Sequence, residues 1–353
     1  MPEPTRRAAL AGASALLAAP TRSHAMSALG TLDVHAHFLP PVYRDALLKA
    51  GLKTVDGGMP VPDWSPERAL AIMDEIGVAG AVLSVSSPHV SFLPPNEARA
   101  LCRQVNDYAA DLCKRHPDRF GAYAILPLPD VEAGLTELAH ALDTLKLDGV
   151  ALPTHADGAY LGDPKFEPLL AALDERETTV FVHPTAPACF EEFGLQLPAP
   201  MIEFPFDTTR TVASLIFSGA LERHPNIRFI LPHAGGTLPF LATRIAGIGA
   251  IPPVLGPRAK PAPDTMKALA RLHYDLALAT APHQVAALRA IAPVSQILYG
   301  TDFPFAPEPS LHAAEAQFIA LPFTPQEREQ VRRGNAQRLF GPFAARCCGG
   351  LHP

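Results

Sequence analysis

Apolar positions along this chain gather into eight short, nearly continuous runs, each separated from the next by a stretch with helical spacing. The runs predict strands at Thr31–His37, Gly80–Ser86, Phe120–Leu126, Asp148–Pro153, Thr179–His183, Ile227–His233, His273–Leu278 and Gln296–Asp302. Between them, segments starting at Pro66, Asn96, Val131, Pro164, Thr208, Pro263 and Pro282 carry the helical period. The first of these helices is clearly punctuated. Ser65 can cap it, Pro66 suits its first position, Leu70, Met73 and Ile76 carry its stripe, and Gly77 can end it. Strands that are apolar throughout are buried on both faces, as in a parallel sheet covered by helices. Eight such units predict a closed (β/α)₈ TIM barrel with its active site at the C-terminal strand ends. An open doubly wound sheet is the runner-up, but no Gly-x-Gly-x-x-Gly follows any strand, and Gly235-Gly236 lacks the rest of that fingerprint.

The bulk numbers bound the class. With 353 residues, 48% hydrophobic and 18% charged, the chain has material for one large barrel, read as a catalytic domain over 26–345 with a short tail over 346–353. A net charge of −6 argues against a nucleic-acid partner, because phosphate binding needs a basic face. After the N-terminal segment no apolar run is long enough to span a bilayer. The five cysteines include no Cys-x-x-Cys and predict core thiols rather than a disulfide framework or a Cys-rich zinc site. Ahead of the first strand, Thr5-Arg-Arg-Ala-Ala-Leu10, the apolar run Ala8–Ala19 and Ser23-His-Ala25 resemble a twin-arginine export signal over residues 1–25. That predicts a periplasmic protein; the alternative is translation from Met26 and a cytoplasmic one.

Chemistry concentrates at the strand ends. The first strand closes on His35 and His37, the fifth on His183, the sixth on His233 and the eighth on Asp302. Residues i and i+2 of a strand share a face, roughly 7 Å apart along the backbone, so His35 and His37 can close on one ion. In a barrel these distant positions converge on one mouth, where three imidazoles and a carboxylate make a mononuclear metal site. Such a donor set with an open water position suits Zn²⁺, with Mn²⁺ the alternative. A histidine outside the shell can act as general base, and His233 is assigned that role because Pro232-His-Ala-Gly-Gly236 puts it on a turn open to the site. His155, just after the fourth strand, faces the same rim and is a candidate substrate contact. No Gly-x-Ser-x-Gly elbow is present, so a serine hydrolase has nothing to rest on.

Asp33-Val-His-Ala-His-Phe-Leu-Pro40, Phe181-Val-His-Pro184, Pro232-His-Ala-Gly-Gly236 with Pro239, Phe240 and Arg244, and Tyr299-Gly-Thr-Asp-Phe-Pro-Phe305 resemble the amidohydrolase-related decarboxylases. The prototype of that family is aminocarboxymuconate semialdehyde decarboxylase, and its relatives include 6-methylsalicylate and γ-resorcylate decarboxylases. The resemblance runs from about residue 31 to 341, including Gly334-Asn335-Ala336. It implies His35, His37, His183 and Asp302 as ligands of one divalent ion and His233 as catalytic base; the proton is then read as relayed through Asp302 or water with His233 assisting. The resemblance further implies Phe303 as a substrate-packing aromatic and Arg244 as a carboxylate contact reached across a homodimer interface. Two positions depart from the prototype. The segment Gly58-Met-Pro-Val-Pro-Asp-Trp64 has no Arg, and Thr185 stands where the prototype has Trp. The implied substrate is therefore a small aromatic acid with a single carboxylate and an ortho hydroxyl, of the 6-methylsalicylate kind, decarboxylated without an organic cofactor. Hydrolysis of a lactone, ester or amide by the same donor set is the alternative; no Lys ends strand 4 or 5 to bridge a second metal.

Overall fold

The computed structural model describes residues 30–55, 58–193 and 197–348, so the export signal read over 1–25 lies outside the described residues. Eight strands form the barrel: β1 (Thr31–His37), β2 (Val78–Ser84), β3 (Phe120–Ala124), β4 (Gly149–Pro153), β5 (Thr179–His183), β6 (Arg228–Leu231), β7 (His273–Asp275) and β8 (Ile297–Leu298). They lie side by side in chain order, every pair parallel. The ring returns on itself where the Val34 N–H donates to the Tyr299 carbonyl (3.0 Å) and the His37 N–H to the Phe303 carbonyl (2.7 Å). This is the predicted (β/α)₈ barrel.

Helices of eight residues or more are α1 (Pro41–Lys49), α2 (Pro66–Ile76), α3 (Pro95–Arg115), α4 (Val131–Leu138), α5 (Glu167–Glu175), α6 (Ala199–Phe217), α7 (Leu238–Gly249), α8 (Ala262–Arg271), α9 (Pro282–Arg289), α10 (Glu308–Ala320) and α11 (Gly341–Cys348). Helix α2 is punctuated as predicted: the Ser65 hydroxyl accepts the Arg68 N–H at 3.2 Å, and Gly77 closes it with φ 76°. Proline masked two helices, α1 and α7, and the start of a third, α6. Pro40-Pro41 stops β1 but also starts α1, since proline suits the first helical position. Pro200 and Pro205 read as loop, yet both sit inside α6, which begins nine residues before its predicted start at Thr208. In α7 Pro239 again stands in the first turn. Among the described residues no single helix is long and apolar enough to cross a membrane.

Two apolar layers hold the fold. Most of the outer layer packs strands against helices. The inner layer fills the barrel with Leu32, Val34, Val82, Tyr123, Phe181 and Leu298, and Phe340 and Phe343 seal its N-terminal end. A Cβ on Gly80 would meet the Phe343 ring at 2.8 Å, so the plug's close approach requires glycine there.

One irregularity sets the site. Leu32 and Val34 face the barrel interior, and strict alternation would turn His35 and His37 outward. The pairing of β1 with β2 slips between Asp33 and Ala36, and Ala36 joins the outer layer. This bulge re-aims both histidines into the mouth.

Candidate metal centre

The last residues of β1 and β5, together with the turn after β8, bring His35, His37, His183 and Asp302 together. One donor atom from each falls within 4.8 Å of the others, and all four side chains are buried. The hydrogen bonds behind the rings decide which nitrogen faces inward. His35 Nδ1 is held by Asp275 Oδ2 at 3.0 Å. His37 Nδ1 lies 3.3 Å from the Ser84 carbonyl and 2.9 Å from its hydroxyl. His183 Nδ1 lies 2.9 Å from the Pro184 carbonyl. Carboxylate and carbonyl oxygens only accept, so each Nδ1 carries the proton and each Nε2 presents a lone pair to the centre. His35 Nε2 and His37 Nε2 stand 3.1 Å apart. Two unprotonated nitrogens that close repel unless a cation lies between them, and Asp302 Oδ1 closes the set at 3.3 and 3.0 Å. The donor set therefore fits a divalent ion.

The electrostatics agree. Burial pushes His37 and His183 below the ordinary imidazole range and keeps them neutral, as metal ligands must be. Burial acts on His35 too, but the carboxylates of Asp275 and Asp302 outweigh it and hold that ring up at about 10. Two carboxylates thus favour positive charge at this point, carried by a second proton on His35 or, in its place, by a cation bound to the Nε2 lone pair. Burial alone would raise Asp302, yet His35, His233 and His37 hold its carboxyl well below the usual range.

Asp275 is the residue that sequence reasoning missed. Its Oδ2 orients His35, while its Oδ1 accepts the backbone N–H of His233 at 3.1 Å and that of Ala277 at 3.0 Å. A signal was available, because Asp275 is the one carboxylate inside the run His273–Leu278 that was read as a strand. Asp33 performs a parallel task, its Oδ1 accepting the N–H groups of His35 (2.9 Å) and Thr301 (3.2 Å) and so fastening β1 to the segment that carries Asp302.

His233 stands across the centre, its Nε2 3.6 Å from Asp302 Oδ2. It opens a turn in which four consecutive residues, His233 to Gly236, hold positive φ. Left-handed φ is uncommon outside glycine, and at His233 the Asp275 carboxylate anchors the strained backbone. At Gly236 a Cβ would strike the Pro205 carbonyl at 2.3 Å.

The remaining expectations place differently. Phe303 is not in the cavity: its backbone bridges to Ala36, and its ring is buried in the outer apolar layer. Phe305 takes the cavity wall instead, its ring 5.4 Å from that of His37. His155 does not reach the donors either. It lines a neighbouring cavity of about 590 Å³, with Nε2 bonded to the Ala186 carbonyl at 3.0 Å. Arg244 is exposed on α7, outside the cavity that holds the donors. That cavity encloses about 490 Å³, with His183, His233 and Asp302 among its lining residues.

Comparison with known proteins follows the same lines. The 6-methylsalicylic acid decarboxylase of Penicillium expansum is 35% identical over 317 residues, 88% of this chain and 96% of that protein. A solved amidohydrolase II structure superposes with a TM-score of 0.82 at 31% identity, covering 88% of this chain and 99% of the other. A dihydroxybenzoic acid decarboxylase from a Polaromonas species, solved with bound manganese and the inhibitor 2-nitroresorcinol, shares the fold at a TM-score of 0.75 and 22% identity, covering 89% and 97%. Residues 32–341 match the amidohydrolase family model, and the chain belongs to that family.

Proposed function

We propose that this protein is a metal-dependent, non-oxidative decarboxylase of an ortho-hydroxy aromatic acid of the 6-methylsalicylate kind. The observation that carries the reading is the meeting, in one largely apolar cavity, of the four-donor cluster and a fifth polar group, His233, aimed at Asp302. The likeness to hydroxybenzoate decarboxylases supports the substrate class. His35, His37, His183 and Asp302 would hold one divalent ion; Zn²⁺ and Mn²⁺ both suit imidazole and carboxylate donors.

A bound divalent ion would anchor the acid's carboxylate and adjacent phenolic oxygen and draw charge from the ring. The chain's own residues do the rest. Phe305 and Phe204 flank the cavity beside the donors and receive the ring. His233 supplies a proton along the 3.6 Å line to Asp302 Oδ2. From Asp302 the proton adds to the carboxyl-bearing carbon. The bond to the carboxyl group then breaks, its electron pair returns to the ring, and CO₂ leaves. Nothing is oxidised, so no organic cofactor takes part.

We also propose that the protein works as a homodimer in which Arg244 reaches the neighbouring site. In support, Arg244 is exposed on a helix that also leaves Phe240 86% exposed, and Ile251 and Val254 just beyond it are exposed too. The segment 1–25 is proposed to direct the protein to the periplasm. The test of the central reading is CO₂ release from 6-methylsalicylate by metal-loaded protein, beside a panel of lactones. Turnover of the acid, abolished in His233→Ala, is expected; turnover of lactones with silence on the acids would replace the decarboxylase with a hydrolase.

A further inference from the structure

The cavity above the donors is larger and more apolar than a methylsalicylate requires. Its volume of about 490 Å³ lies within the range of pockets that bury drug-sized ligands, whereas a methylsalicylate is one small substituted ring. Its walls are graded. The floor carries His183, His233 and Asp302. The rim is built from Met59 of a short hairpin, Met201, Ile202 and Phe206 of the first turns of α6, and Leu278 after β7, with buried Val55 beneath. Among the described residues no Lys, Arg or Glu lines it, and Asp302 is the single carboxylate.

Two further observations make the rim a binding surface. Met201 is 63% and Leu278 53% exposed, so large apolar side chains are held in water around an opening that an apolar group can cover. Leu278 also holds a φ of 52°, a conformation non-glycine residues avoid, and so is kept at the rim against its local preference.

Two neutral polar side chains of the wall, Thr237 and Gln284, have fixed hydrogen-bond directions. Thr209 donates its only hydroxyl proton to the Pro205 carbonyl at 2.9 Å, so Thr237 is the donor in the 2.6 Å contact between the two hydroxyls and offers the cavity only lone pairs. Gln284 Oε1 accepts the Ala281 N–H at 3.2 Å, which leaves its NH₂ as the donor. The Thr237 lone pairs do not suit a second carboxylate but do suit a ring hydroxyl, to which the Gln284 NH₂ can also donate.

Resting on the decarboxylase reading, we infer that the substrate carries an apolar substituent of several carbons, an alkyl chain longer than methyl, seated against Met201, Ile202 and Leu278. The test is a series of salicylates bearing methyl, propyl or pentyl at the 6-position. Each buried methylene contributes about 0.8 kcal/mol, so kcat/KM is expected to rise roughly fourfold per added carbon through pentyl, carried by KM. Leu278→Asn, which the left-handed backbone tolerates and which adds no charge, is expected to lower the ratio of kcat/KM for the pentyl acid to that for the methyl acid by about tenfold or more. A flat or falling series while 6-methylsalicylate is still turned over would overturn the inference and leave the decarboxylase standing. Should no acid release CO₂, calorimetry with 3-pentylphenol against 3-methylphenol reads the chain subsite alone. Tighter binding of the pentyl compound supports it; equal binding removes it.

Discussion

The two ends of this barrel are made from the same eight strands and solve opposite problems. At the N-terminal end the chain spends large apolar residues and glycines: Phe340 and Phe343 press into the ring, and Gly80 and Gly121 clear the way for them. At the C-terminal end it spends irregular backbone and buried polar groups: a bulge in β1, left-handed residues at His233 and Asp302, and carboxylates that tie β1, β7 and the turn after β8 together. The contrast teaches where stability and chemistry are kept apart. Damage at the plug should unfold the protein; damage at the mouth should silence it while leaving it folded.

The largest effect is expected from His233→Ala. Loss of a general acid–base group lowers kcat by about 10²–10⁴-fold, and circular dichroism and melting should stay close to wild type. Phe343→Ala should do the reverse. That ring is 1% exposed, and its removal should cost about 3–5 kcal/mol of stability, read by denaturant unfolding, while kcat per folded molecule holds. If Phe343→Ala lowered kcat per folded molecule as His233→Ala does, the two ends would not be separable. Asp275→Asn keeps the shape but removes the charge behind His35, and metal affinity by equilibrium dialysis should fall about 10–100-fold. Unchanged affinity would reduce Asp275 to a structural cap.

The smallest effect belongs to a region far from either end. Arg223 and His224 hold the Glu167 carboxyl down at about 2 from an ordinary 4.5. A depressed carboxyl contributes stability that is present above its unfolded pKa and is lost as pH falls from about 4.5 towards 2. Because the pair is largely solvated, Glu167→Gln should cost under about 1 kcal/mol at neutral pH and nothing at the acid end of that window. A cost that persisted at the lowest pH would mean that packing, not charge, is what the residue supplies.

Much of this was legible in the residues, and the rest failed for identifiable reasons. The eight apolar runs announce the barrel because a strand buried on both faces has no polar positions to hide. His183 and Asp302 stand out because each ends or follows such a run. His35 and His37 were read onto one face correctly, but the face itself depends on a bulge that no alternation rule foresees. Phe303 and Phe305 are indistinguishable as letters; only the bridge from Phe303 to Ala36 turns the former into the core and leaves the latter at the wall. His155 sits at the right end of its strand, yet the Ala186 carbonyl draws it towards the next cavity. Helix α6 was cut short because its prolines read as breakers, although its first turns build the substrate wall.

The central claim is that four side chains from three separate segments of the barrel form a single divalent-ion site. Its most direct test is metal content by mass spectrometry after equilibrium dialysis against Zn²⁺ or Mn²⁺, for the wild-type chain and for His37→Ala and Asp302→Ala. One ion per chain in the wild type, lost from both variants with the fold intact, is the predicted result. Retention of a full equivalent of metal in either folded variant would contradict it and move the site elsewhere.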